Sequence, residues 1–324
     1  MADTMQQNQA GAAPMTVYDK IRCTRKSGRA TSLDYIGQIF TEFTELQGEM
    51  GKEYALLDGE KPEVAQAIFE QYMPRFAGDI LPQQEIGRAL SLADKLDNLA
   101  ATFLRGLIPT GSQDPFALRR QTIGAVNILI DGKIHWDIRR GIEAALALLP
   151  GDEETKKTVL SQIEDFFRQR IKAIMLDEGI AYDIIDAVLA GPVDDIYALF
   201  LKARSMAESQ LKGEAELRQA VTRLANITKG KAGGKVDPSL FTEDVEKKLQ
   251  DAFEAVSAKA LPLFASYEYG KALPALKELT APINDYLDNV MVMVDDEAVK
   301  NNRISQLLAT LALFNTWGDF SKLV

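Results

Sequence analysis

Apolar residues along this chain recur at spacings of three and four, not two, which is the repeat of one helix face and not of a half-buried strand. Two stripes show it best: Val159, Ile163, Phe166, Phe167, Ile171 and Ile174, and Ile283, Tyr286, Leu287, Val290, Met291 and Val294. Each predicts the core-facing side of an amphipathic helix. With strand patterns nearly absent, the expectation is an all-α chain of about a dozen helices, a count bounded by typical helix length. Asp114-Pro115 predicts a capping carboxylate ahead of a proline that needs no N–H partner, and Gly191-Pro192 separates two helical stretches. Leu149-Pro150-Gly151-Asp152 marks a turn. Thr228 to Pro238, where Gly230, Gly233 and Gly234 alternate with lysines, predicts a mobile basic loop able to touch a ligand. No internal repeat is present, and residues 1–14, rich in Gln, Ala and Gly, are expected to be disordered.

At 324 residues, 46% hydrophobic and 26% charged, the chain has material for two or three domains, which excludes collagen-like and wholly disordered classes. Cys23, the one cysteine, cannot close an intrachain disulfide, and His135, the one histidine, cannot supply a multi-histidine metal cage. No apolar run approaches the roughly 18 to 20 residues of a membrane span, and Met1 to Pro14 is polar where a signal peptide would be apolar. A soluble cytoplasmic chain without a membrane partner is expected. The formal charge of -10 argues against a phosphate-rich partner until its distribution is read. Leu201 to Lys235 carries eight basic residues against three acidic, whereas Phe241 to Asn301 carries six against twelve. An electropositive face on an acidic body fits this asymmetry, as do solvated helix surfaces.

Asp79, Asp94 and Asp97 are candidates for a Mg²⁺ site or for acid–base work. The rival reading pairs them with Arg75, Arg119 and Arg120 in a network that holds loops. No GxxxxGK[ST], GxGxxG or GxSxG run occurs, so phosphate-loop and hydrolase-elbow chemistry lack a basis. Cys23 has no histidine to activate it, and His135 beside Trp136 is a packed or exposed ring before it is a base. The stretch Glu216 to Lys229 is more informative. At 100° per residue, Arg218, Thr222, Arg223, Asn226 and Lys229 share one arc of about 140°, opposite Leu217, Val221, Leu224 and Ile227. One face packs while the other offers donors for phosphates and base edges.

Several segments together resemble the β subunit of bacterial heterotetrameric glycyl-tRNA synthetases. They are Thr41 to Gly51, Tyr72 to Asp79, Leu92-Ala93-Asp94-Lys95-Leu96-Asp97, Asp114 to Arg120, Thr222 to Ile227 and Asp288 to Asp296, with Asn302-Arg303 following, all in the family's order. The resemblance implies an HD-like helical domain over 39–176 and an anticodon-binding helical bundle of the DALR type over 177–324, after an atypical, partly disordered segment over 1–38. With His135 alone, the paired His-Asp metal site behind the HD name cannot be assembled, so a degenerate scaffold without catalytic or metal residues is expected. The resemblance further implies tRNA(Gly) as ligand and a separate α subunit that forms the glycyl-adenylate with ATP and Mg²⁺, so this chain holds no cofactor of its own. Family β subunits are about twice as long, so their N-terminal half is a further expected partner; a split gene, a frameshift or a truncated chain each fit. Arg218, Arg223, Asn226, Lys229, Lys231 and Arg303 are the expected RNA contacts, with a structural pairing of Arg303 to Asp295 or Asp296 as the alternative for that residue. The rivals are an HD-type phosphohydrolase using the three aspartates and a helical interaction scaffold that binds no RNA.

Overall fold

The computed structural model describes residues 46–111 and 113–323. The expectations for residues 1–14, for 1–38 and for Cys23 lie outside them. Thirteen α-helices fill the described chain, and its β pairing is limited to two isolated bridges, Thr110 with Gln113 and Asp137 with Asp195. Among the described residues no helix is long and apolar enough to cross a membrane. Backbone packing separates the chain into a first unit, up to Thr102 plus Leu107–Gly132, and a second, Phe103–Gly106 plus Lys133 onward. The functional boundary expected at 176/177 falls inside the second unit.

In the first unit, α1 (Glu49–Leu57) packs on α2 (Pro62–Glu70), which opens on a proline whose missing N–H costs nothing at that position. The long α3 (Glu85–Leu104) buries Leu92, Leu96, Leu99 and Phe103, a stripe at spacings of three and four. Lys95 lies in the same stripe, 4% exposed, and its ammonium donates to the Met73 carbonyl at 2.8 Å and to Ser91 Oγ at 2.6 Å. Burial pushes its pKa down to about 8 against an opposing pull from Asp94. Helix α4 (Leu118–Asp131) starts three residues later than Pro115 suggested. Ala117 sits at φ 53, yet Asp114 still caps from a distance, accepting from the Leu118 and Arg119 amides at 2.8 and 2.9 Å.

The second unit begins with α5 (Ile138–Ala147), α6 (Glu153–Asp177), α7 (Tyr182–Val188) and α8 (Ile196–Glu208). The stripe expected on α6 is buried at Val159, Ile163, Phe166, Phe167 and Ile171. Asp137, Asp152 and Asp195 cap α5, α6 and α8 through their carboxylates, which places the 149–152 and 191–195 turns where the sequence puts them. Next come α9 (Ala215–Thr228), α10 (Asp244–Ala265), α11 (Leu273–Lys277), α12 (Thr280–Asn289) and α13 (Glu297–Asn315). Helix α9 packs on α12 and α13, and α10 packs on α11, α12 and α13. The stripe from Ile283 to Val294 is not one helix: α12 ends at Asn289, and Val290 is extended at φ -105 and ψ 119. Beyond α13, Trp317 is fully buried and its indole N–H donates to the Lys202 carbonyl and to Ser205 Oγ, tying the C-terminal turn to α8.

Candidate nucleic-acid interface

Helix α9 carries the predicted two-faced pattern: Leu217, Ala220, Val221, Leu224 and Thr228 are buried, and Asn226 and Lys229 are exposed. Thr228 is accommodated because its hydroxyl donates to the Leu224 carbonyl at 2.7 Å. The expected RNA contacts then divide by what holds them. Arg218 donates to the Leu323 and Lys212 carbonyls, joining α9 to the C-terminal turn. Arg223 reaches Asn284 Oδ1 at 3.0 Å and Asp288 Oδ1 at 2.5 Å on α12. Lys229 ends the helix, and the ammonium of Lys231 lies 3.3 Å from Met293 Sδ, a weak acceptor. Among the described residues neither lysine pairs with a carboxylate, in contrast to Lys212, Lys259, Lys271 and Lys277, which all do.

The glycine-rich loop after α9 is held, not free. The Gly234 amide donates to Ser305 Oγ at 2.8 Å, while Asn302 accepts from the Asp237 amide at 2.7 Å and donates to the Asp237 carbonyl at 2.9 Å. Both anchors stand on α13, a helix buried on most sides, with Asn302, Arg303, Ser305, Gln306 and Thr310 interspersed among Ile304, Leu307, Leu311, Leu313 and Phe314.

Arg303, expected at the RNA, is instead 4% exposed and spent inside the unit. Its Nε donates to Glu246 Oε1 at 2.9 Å, one terminal nitrogen donates to the Met291 carbonyl at 2.8 Å, and the other to Thr242 Oγ1 at 2.7 Å. The partner it takes is Glu246, not Asp295 or Asp296. Asp296 caps α13 through the Ala298 and Val299 amides. Glu246 is fully buried at the start of α10 and also accepts from the Thr242 and Glu243 amides. Desolvation raises its pKa, but the Arg303 and amide hydrogen bonds outweigh it and hold the carboxyl below its ordinary range. Sequence reasoning missed Glu246 because an acidic residue three places into a helix is the ordinary capping-box pattern, which it also completes.

The three aspartates of the phosphohydrolase reading are not gathered. Among the described residues no group of three or more His, Cys, Asp or Glu side chains is placed to hold a metal ion. Asp79 is taken by Arg75 through its side chain at 2.9 Å and its amide at 2.8 Å, which keep the carboxyl below its usual pKa despite partial burial. Asp94 accepts from Gln71 and Asn98. Of the expected arginine network, the Arg75–Asp79 pair forms as drawn, while Arg119 and Arg120 donate to the carbonyls of Gly111 and Arg75. His135 stacks on Tyr267 at 3.6 Å between centroids and meets Asp195 at 2.8 Å, a packed ring.

Comparison with known proteins matches two regions of the chain. Residues 1–190 match the family profile described as glycyl-tRNA synthetase beta subunit, a match that includes residues 1–38, and residues 217–318 match the DALR anticodon binding domain. The glycine–tRNA ligase beta subunit of Clostridioides difficile is 41% identical over 302 residues, covering 93% of this chain and 44% of the relative. That of Desulforamulus reducens is 41% identical over 295 residues, 90% of this chain and 42% of the relative, and that of Shouchella clausii 38% over 320 residues, 97% and 46%. The chain thus spans less than half the length of the curated relatives it matches. Helix α9 opens the DALR match and α13 closes it, and since the first profile alone covers more than half of the sequence, the chain belongs to the glycyl-tRNA synthetase beta subunit family.

Proposed function

We propose that this chain is the tRNA-binding, anticodon-reading portion of a glycine–tRNA ligase β subunit, acting in the cytoplasm on tRNA(Gly) beside an α subunit that makes the glycyl-adenylate with ATP and Mg²⁺. In this reading residues 39–176 are an HD-like support without catalytic or metal residues, and 177–324 are the anticodon-binding bundle, completed by the N-terminal half of a full β subunit. The observation that carries it is the pair of ammonium groups, Lys229 and Lys231, free of carboxylates among the described residues and set at the rim of the DALR-matched bundle. A cation without a counter-charge is what a phosphate needs. Asn226 is the exposed amide beside them that suits a base edge, while Arg218 and Arg223, half-exposed, have spare donors after their internal bonds.

The test is tRNA binding as a function of salt. Lys229→Glu should lower affinity and reduce the log–log salt slope by about one, as loss of one phosphate contact does. Lys157→Glu, at an exposed site on α6 outside the DALR match, is the control. Arg223→Glu is a poorer probe, since it would set a second carboxylate against Asp288. Unchanged affinity and slope in a folded Lys229→Glu chain would reject the reading. The chain alone is also expected to show no glycine-dependent pyrophosphate exchange, and measurable exchange would reject the assignment of adenylate chemistry to the α subunit.

A further inference from the structure

Along the segment joining α12 to α13 burial alternates from residue to residue. Val290 and Val292 turn inward at 6% and 7% exposed, and Met291 and Met293 face solvent at 72% and 48%. The valines suffice to anchor the segment, and polar residues at the two outward positions would cost no packing. Two large apolar side chains are instead held in water. They are also held in place: the Arg303 guanidinium grips the Met291 carbonyl, and Met293 Sδ rests against the Lys231 ammonium. The carboxylates on either side are largely spent, Asp288 on Arg223, Asp296 on the α13 cap and Glu297 on Lys300, which leaves Asp295 as the nearby acid without a bond among the described residues. A polarizable apolar pair bordered by unpaired cations suits a flat, uncharged ring carried on an anionic backbone.

We propose that Met291 and Met293 form the apolar seat for an unpaired base of the bound RNA, with the Lys229 and Lys231 ammonium groups taking the adjoining phosphates. Arg303 is then a positioning residue that reaches the RNA only through the Met291 backbone. The inference rests on the RNA-binding reading above, and its tests separate the two. Peroxide oxidation followed by mass spectrometry should show Met291 and Met293 protected by tRNA, while Met50, half-exposed in the other unit, oxidises at an unchanged rate. The double variant Met291→Ala/Met293→Ala retains the backbone that Arg303 grips. It should weaken tRNA binding roughly ten-fold through lost apolar contact while leaving the salt slope as in the parent, because no charge is removed.

Protection together with weakened binding at constant slope supports the seat. Full methionine reactivity in a complex whose slope still falls with Lys229→Glu overturns the seat and leaves RNA binding standing. Protection without any loss of affinity in the double variant overturns it as well, as does protection by the α subunit in the absence of tRNA. If neither the methionines nor Lys229 respond, RNA binding by this face fails and the seat fails with it.

Discussion

Replacing Arg303 with methionine removes the cation paired with a fully buried carboxylate. Breaking a buried pair by deleting one partner costs about 3–5 kcal/mol, because the remaining charge stays out of water. The two deletions should not cost the same. Without Arg303, Glu246 keeps the Thr242 and Glu243 amides at 2.7 and 2.8 Å, and it can take up a proton, so Arg303→Met belongs near 3 kcal/mol. Without Glu246, the guanidinium keeps only the Met291 carbonyl and the Thr242 hydroxyl and cannot shed its charge, so Glu246→Met belongs near 5 kcal/mol. The double variant should cost less than the sum, with a coupling of at least about 2 kcal/mol. Both tryptophans, Trp136 and Trp317, lie in the second unit, so urea unfolding followed by tryptophan fluorescence reads that unit alone. Acid supplies a second readout. Because the folded pKa of Glu246 is depressed, its stabilisation is full above the unfolded carboxyl value and fades as pH falls from there towards the folded one, and Arg303→Met should flatten that loss. Single variants each costing under about 1 kcal/mol, or strictly additive costs, would refute the reasoning.

Lys95 also has a depressed folded pKa, but there the fold disfavours the charged form. Between pH about 8 and 10.5 the unfolded chain holds a proton that the folded one has shed, so stability should rise across that window by about 3 kcal/mol, and Lys95→Met should abolish the rise while leaving the chain at least as stable at pH 7, where Ser91 still satisfies the Met73 carbonyl. Thermal melts by circular dichroism over pH 7 to 10.5 measure both, and a variant much less stable at pH 7 would show the buried ammonium to be a net asset. Gly87→Ala on α3 would place a Cβ 1.8 Å from Glu70 Oε2 and 2.7 Å from Glu70 Cβ, and Glu70 is itself buried and bonded to the Gln84 amide. Overpacking should outweigh the gain in helix propensity and cost about 1–3 kcal/mol in the same melts, whereas a neutral or stabilising outcome would mean that Glu70 swings away freely.

Helix identity and the faces of α6 and α9 were legible because spacing alone decides them. Three other features were not. The stripe from Ile283 to Val294 satisfies helical spacing up to Val290 and then a period of two, and a chain that obeys both patterns gives no cue to where one stops except Asn289, a common residue at helix ends. Lys95 sits between two aspartates in sequence and so resembles a surface residue, yet at three from Leu92 and four from Leu99 it lies on the buried face. Arg303 was picked out by its place in a family motif. That a motif arginine turns inward depends on Glu246, 57 residues away, and no local pattern encodes a contact at that distance.

Four buried polar residues of α13 find partners far along the chain: Asn302 the Asp237 backbone, Ser305 the Gly234 amide, Arg303 the Glu246 carboxylate and Gln306 the Glu246 carbonyl. Ile304, Leu307 and Leu311, one turn apart, could trade places against their neighbours with little penalty. The polar set could not. Sliding α13 by one turn, about 5.4 Å, would bring Leu307 to the Glu246 carboxylate and carry the guanidinium into apolar surroundings. These four side chains therefore work as a vernier, admitting a single axial setting of the helix. That setting brings the 229–237 loop and the methionine segment to the same end of the bundle at a fixed separation, so the spacing between cations and apolar seat is gauged from within the core.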